Sequence, residues 1–182
     1  DVDKISRNTI LDGYFQVPKV IWEEKFVIEK ELGIGPKFTG SQMVSSLRID
    51  FSSSIVIHLR MGDYLNLEDF RILNEYTLQK LLLRKDLENK RVYILTDSEE
   101  LLESYYGKLV LDSKATVINS YSFNAKDAID LLSRFQTIIL SKSSLSWWGG
   151  FLGALNGSAV FAPISSKGNL GNFRPQQAIP IW

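Results

Sequence analysis

The 182-residue sequence contains no cysteine and a single histidine, His58. Without cysteine the chain forms no disulfide bond and offers no thiolate to a metal ion or to a substrate. A single imidazole also excludes the multi-histidine sites that bind zinc. Binding and chemistry therefore have to come from carboxylates, hydroxyls, basic side chains and backbone groups.

An excess of charge of one sign is also lacking. The 21 basic and 21 acidic side chains balance to a net charge of zero, and no segment is rich in lysine and arginine. Proteins that neutralise many phosphates usually have a basic patch or stripe. The sequence therefore predicts no nucleic-acid partner.

Long apolar runs are absent too, since no stretch approaches the roughly 20 residues that cross a bilayer. Residues 1–8 are polar, unlike a signal peptide, and the first residue is not methionine. We therefore expect no transmembrane segment in this chain, and we expect the chain to be a piece of a longer protein. At this length roughly 70% of the unfolded surface can be buried, which is enough for one globular domain.

Five short runs rich in β-branched residues alternate with amphipathic stretches, a pattern typical of an α/β fold. Each run is almost continuously apolar, as expected of parallel strands that helices cover on both faces. We predict a Rossmann-like parallel sheet with flanking helices. The predicted strands are residues 55–59, 92–95, 115–118, 137–140 and 159–162.

The stretches between these runs have helical spacing and helix-terminating residues. The predicted helices are residues 18–32, 76–87, 98–107, 128–135 and 144–156. We assign residues 41–182 to the Rossmann-like domain. Residues 1–40 are interpreted as an inter-domain connection or the remnant of an N-terminal domain.

Ligands of parallel α/β sheets bind beyond the carboxyl ends of the strands. After the first predicted strand, alternation places His58 and Arg60 on one side. An imidazole beside a guanidinium favours an anion such as phosphate. The alternative is that His58 is a satisfied polar residue at the sheet edge and that Arg60 and Asp63 form a local ion pair.

Serines follow the fourth predicted strand where a helix begins. The N–H groups and the dipole of such a helix start favour an anion near Ser143 and Ser144, although ordinary N-capping explains the serines equally well. Asp97, after the second strand, is interpreted either as a ligand for a sugar or base edge or as part of a helix start. For Asp130, inside an apolar helix, the simplest interpretation is exposure to solvent.

Several segments, in order along the chain, together resemble the α-1,2-fucosyltransferases of glycosyltransferase family 11. Residues 58–64 resemble the motif His-x-Arg-Arg-Gly-Asp-Tyr, with Met61 in place of the second arginine. The family's Gly-Gly-Leu-Gly-Asn-Gln opening and N-terminal domain are absent from this chain. The other matching segments are residues 11–16 (a Gly-Tyr-Phe-Gln box), 96–98 (a Ser-Asp-Asp-like box), 130–133, 143–149 (with Ser-Trp-Trp-Gly), 162–163 and 179–182.

The resemblance implies the donor-binding half of a GT-B transferase, with GDP-fucose as donor and a galactose-terminated glycan as acceptor. The implied reaction is inverting transfer in α-1,2 linkage, without a metal or other cofactor. A cytoplasmic location is expected, with peripheral association at the inner face of a bacterial membrane. The alternative from another class is a non-catalytic module that binds a nucleotide sugar or a glycan.

The resemblance also implies roles for individual residues. Arg60 holds the β-phosphate and is one of two catalytic candidates. The other is Asp63, as the base that removes the acceptor proton or as a residue that only orients Arg60. The remaining donor-binding roles are His58 and Asp130 at the guanine nucleoside, Asp97 supporting the pocket, and Ser143 and Ser144 cradling the diphosphate.

Overall fold

The structure, a computed structural model, describes residues 18–32, 42–66 and 74–163. Five parallel strands form one sheet: β1 (Ser54–Leu59), β2 (Arg91–Thr96), β3 (Thr116–Asn119), β4 (Thr137–Ile139) and β5 (Ala159–Phe161). Their order across the sheet is β3-β2-β1-β4-β5. The predicted α/β fold with a parallel sheet is confirmed, and every predicted strand agrees with an observed one to within one residue at each end.

Seven α-helices surround the sheet among the described residues. They are α1 (Pro18–Glu23), α2 (Lys25–Leu32), α3 (Gln42–Ser46), α4 (Glu75–Leu82), α5 (Glu99–Ser113), α6 (Ala125–Arg134) and α7 (Ser144–Leu155). None of the helices in these ranges is long and apolar enough to cross a membrane.

Two hydrophobic clusters cover the two faces of the sheet. Val56 and Tyr93 belong to the cluster that packs against α6 and α7. Ile57 and Ile94 belong to the cluster that packs against α4 and α5. Because side chains from both faces of each strand are buried, the strands are apolar at successive positions rather than at alternate ones.

Helix α7 packs closely on α6 and on the sheet at two of its glycines. A Cβ atom at Gly149 would lie 2.7 Å from the Cβ of Leu132 on α6, and one at Gly153 would collide with Ile138 on β4. Trp147 of the same helix is fully buried and is a core residue.

Four helix predictions were wrong in their extent. Helix α6 begins at Ala125, three residues before the predicted start at residue 128. The helix predicted for residues 18–32 is divided at Glu24 into α1 and α2. Helix α4 ends at Leu82, not at residue 87, and the chain turns through Asn89 in a left-handed conformation before β2. Helix α5 continues past Gly107 to Ser113.

Some predictions concern residues outside the described ranges. These are the boundary between residues 40 and 41, the box at residues 11–16 and the final segment at residues 179–182.

Candidate functional site

The order of the strands reverses at β1, which lies between β2 and β4. After β1 the chain continues to α4 on one face of the sheet, and after β4 it continues to α7 on the other. Such a switch point opens a crevice at the carboxyl ends of the two strands. His58 Nδ1 lies 3.3 Å from Ser141 Oγ, so the ends of β1 and β4 meet there.

His58 is a neutral group in this crevice. Its side chain is buried with 3% exposure. Burial lowers the pKa of His58 to about 4 from the ordinary 6.5, against an opposing effect of Asp97 and with a smaller decrease from Arg60. The imidazole therefore supplies hydrogen bonds at neutral pH and not the positive charge that an anion receptor would use.

Arg60 supplies a positive charge at the end of β1, and two carboxylates bind it. Its Nη1 lies 3.1 Å from Oδ2 of Asp97. Its Nε and Nη2 lie 3.0 Å and 2.9 Å from Oδ1 of Asp63. The ion pair between Arg60 and Asp63 that the sequence left as an alternative is therefore present, and the arginine remains 38% exposed.

Asp97 anchors the loop after β1. Its Oδ1 accepts a hydrogen bond from the Met61 N–H at 2.7 Å, and its Oδ2 accepts one from the Gly62 N–H at 3.1 Å. The carboxylate is 2% exposed, so these bonds and the Arg60 ion pair replace its hydration. Both oxygens of Asp97 thus bind protein groups, and the residue holds the loop after β1 in place.

The loop itself requires glycine at position 62. A Cβ atom there would lie 2.9 Å from Asp97 Oδ2. The neighbouring Met61 is fully buried in the cluster with Leu59, so its side chain points away from the crevice. Sequence reasoning did not assign Gly62 to the site, although a glycine two residues after the arginine that follows the strand was an available signal.

The serines after β4 form a chain of hydrogen bonds at the start of α7. Ser143 is the N-cap, and its hydroxyl accepts from the Ser146 N–H at 3.0 Å. The Ser146 hydroxyl in turn accepts from the Ser141 N–H at 3.1 Å. N-capping by Ser143 is therefore confirmed, whereas Ser144 is exposed on the first turn of the helix. Sequence reasoning missed Ser141 and Ser146, which shape this loop.

Asp130 lies on α6, and the expectation that it is exposed was wrong. It is 3% exposed and binds Arg134 through two contacts, Oδ1 to Nε at 3.0 Å and Oδ2 to Nη2 at 2.9 Å. Arg134 also donates to Ser45 Oγ at 3.3 Å. A buried carboxylate requires a partner of opposite charge, and an arginine four residues later on the same helix supplies one. At a rise of 1.5 Å per residue, Asp130 lies about 8 Å from the first residue of α6, measured along the helix axis.

The crevice therefore combines a neutral imidazole, one arginine bound by two aspartates and the N-terminus of α7. Within the described ranges, no group of three or more histidine, aspartate and glutamate side chains is placed to hold a metal ion. No protein-family model matches this chain, and no curated protein matches it in sequence.

Proposed function

We propose that this chain is the donor-binding domain of a GT-B fucosyltransferase that transfers fucose from GDP-fucose to a galactoside hydroxyl, with inversion and in α-1,2 linkage. The supporting observation is that the fucosyltransferase-like segment at residues 58–64 meets the loop that leads into the one at residues 143–149, through His58 and Ser141, at the switch point of the sheet. This is where nucleotide ligands of parallel α/β sheets bind. A cytoplasmic location at the inner face of a bacterial membrane is part of the proposal.

In the proposed reaction the bond from fucose C1 to the β-phosphate oxygen breaks as the acceptor hydroxyl oxygen forms its bond to C1, and the hydroxyl proton passes to a base, for which Asp63 is the candidate. Negative charge develops on the departing GDP, so fixed positive groups near the diphosphate lower the barrier. Arg60 supplies one such group, and the N–H groups at the start of α7 supply partial positive charge. In this proposal these protein groups stabilise the departing GDP without a metal.

The other residues have positioning or recognition roles in this proposal. Neutral His58 donates to or accepts from the guanine nucleoside. Asp97 holds the loop after β1 at the height of the diphosphate through its bonds to Met61 and Gly62. Asp130 as a nucleoside ligand and Asp63 as the base stay predictions.

A second function, a non-catalytic module for a nucleotide sugar, is favoured by Met61. Where the resembling motif has a second arginine, this chain has a fully buried methionine. The loop after β1 therefore offers one guanidinium in place of two, which weakens stabilisation of a leaving diphosphate more than it weakens binding.

Calorimetric titration of the intact protein with GDP tests the proposal. Arg60→Ala is expected to weaken GDP binding by about 10- to 100-fold, since it removes a charge-assisted hydrogen bond to phosphate. Arg84→Ala is the control, because Arg84 forms a comparable exposed ion pair with Asp86 that lies outside the crevice. Absence of GDP binding by the wild type, or equal losses in both variants, would contradict the proposal.

Turnover separates the two functions. The transferase is expected to release GDP and fucosylated product from GDP-fucose with lactose or N-acetyllactosamine as acceptor. A protein that binds GDP-fucose but forms no product with either acceptor is the non-catalytic module.

A further inference from the structure

The Arg60 guanidinium has carboxylate partners before any ligand arrives. Asp63 lies within 3.0 Å of Nε and within 2.9 Å of Nη2, and Asp97 lies 3.1 Å from Nη1. A phosphate that binds this arginine therefore has to share it or to replace one of the two aspartates.

Charge at this cluster opposes simple sharing. One guanidinium faces two carboxylates, and His58 adds no charge because burial keeps its imidazole neutral at pH 7. A phosphate placed on Arg60 with both aspartates still bound would meet an excess of negative charge. Like charges in contact repel even in water, and more strongly where water is partly excluded.

The two aspartates differ in how firmly they are held. Asp97 is 2% exposed and also accepts two backbone hydrogen bonds. Removing it from Arg60 would break up the loop after β1. Asp63 is 61% exposed, stands at the start of a short 3-10 turn (Asp63–Asn66), and among the described residues hydrogen-bonds through its side chain to Arg60 alone. Asp63 is therefore the partner that can leave.

A phosphate can take the place of this carboxylate. Both groups present oxygen atoms that match the fork of guanidinium N–H donors, and both bind it with charge-assisted hydrogen bonds. An exposed ion pair contributes little to stability, so a ligand phosphate can replace Asp63 at low cost.

We propose that Asp63 is an internal substitute for the ligand phosphate: it holds the Arg60 guanidinium in the free protein and is displaced when the diphosphate binds. The inference rests on the proposed function for its ligand, the diphosphate of a nucleotide sugar. Asp63 in this role is a positioning residue that also competes with the ligand. If Asp63 instead only orients Arg60 for phosphate, its removal weakens binding, so the two roles predict changes of opposite direction.

Asp63→Asn is the test, because asparagine keeps the shape and one oxygen of aspartate but removes its charge. Calorimetry is expected to show GDP binding about two- to tenfold tighter than wild type, from the lost competition and the lost repulsion. The gain in GDP affinity is expected to shrink at high salt, since the charges of Arg60 and Asp63 are both exposed to solvent. Asp86→Asn is the matched control, because Asp86 pairs with Arg84 through similar contacts of 3.0 Å and 3.1 Å, and it should leave GDP affinity unchanged.

Inorganic pyrophosphate provides a second arm that does not depend on the nucleotide. If wild type and Asp63→Asn fail to bind GDP but Asp63→Asn binds pyrophosphate more tightly than wild type, the proposed function fails and the inference stands. Weaker or equal binding of both anions by Asp63→Asn, an equal gain in Asp86→Asn, or no binding of either anion would overturn the inference. Unfolding midpoints of all three proteins verify that each is folded.

Discussion

At the scale of single residues, Asp97 determines the geometry of the candidate site. Its buried carboxylate binds the backbone N–H groups of Met61 and Gly62 and the guanidinium of Arg60. A buried charge with this many partners is satisfied, and removing any one partner leaves part of its desolvation uncompensated. A substitution next to Asp97 therefore affects stability through the size of the new side chain as well as through its charge.

Gly62→Ala is expected to destabilise the protein by about 1–3 kcal/mol, because the added methyl group overlaps a carboxylate that cannot move freely. Gly107→Ala is the matched control. Among the described residues, and apart from the neighbouring backbone of its own helix, no atom lies within 4 Å of a Cβ at Gly107. Alanine in a helix is favoured over glycine by about 0.5–1 kcal/mol. Urea unfolding should show a loss for the first variant and a gain or no change for the second. Equal stability of Gly62→Ala and wild type would contradict the tight contact.

At the scale of elements, a side chain of one helix supports the backbone of another. Helix α5 illustrates this. Its backbone leaves helical geometry at Tyr106 (φ −137°, ψ 19°), yet the helix continues to Ser113. The Leu109 N–H donates to Glu75 Oε1 of α4 at 2.8 Å. The carboxylate thus supplies an acceptor to the backbone just after the kink and joins α4 to α5.

Glu75→Ala should therefore lower the free energy of unfolding by about 1–2 kcal/mol, since a partly buried N–H loses its acceptor. Glu75→Gln keeps an oxygen acceptor and should recover most of that loss. Glu103→Ala, at an exposed position on α5, is the surface control and should stay within about 0.5 kcal/mol of wild type. Chemical denaturation of the four proteins decides the matter, and similar effects at positions 75 and 103 would refute the link between the helices.

At the scale of the whole molecule, the order of the strands creates the site and also gives its histidine an unusual environment. Because β1 lies between β2 and β4, neighbouring strands flank His58 on both sides, and its side chain is buried. Burial lowers the pKa of His58 to about 4, whereas in the unfolded chain it is near 6.5. Folding is therefore linked to the protonation of this one imidazole.

The sign of this linkage gives a pH prediction. The unfolded chain binds a proton at His58 at higher pH than the folded protein does, so protonation favours unfolding. The contribution of neutral His58 to the free energy of unfolding is therefore complete above pH 6.5 and is lost as the pH falls towards 4. The full loss is roughly 3 kcal/mol. His58 is the single histidine, so the stability difference between wild type and His58→Gln should change by that amount from pH 7 to pH 4. A difference that is constant with pH would contradict the buried neutral state.

Sequence by itself determined the elements and the position of polar residues along them. The five strands were predictable because a strand buried on both faces requires a continuous apolar run, and the sheet meets this requirement at each run. The helix starts at Ser98 and Ser143 were predictable because N-caps are local. The predicted end of α5 at residue 107 was wrong, because the helix continues past the kink at Tyr106, where Glu75 of another helix accepts from the Leu109 N–H.

Only the tertiary structure decided which strand ends meet and what charge each group carries. The contact of His58 with Ser141, the partners of Asp97 and the burial of Asp130 all depend on how elements pack. Burial, and with it the pKa of His58, is the sum of contributions from segments that are distant along the chain. Residue type and local spacing carry no record of those contributions. The sequence therefore left open whether His58 and Arg60 receive an anion or are satisfied within the protein, whereas the structure shows a buried neutral imidazole and an arginine that two aspartates already hold.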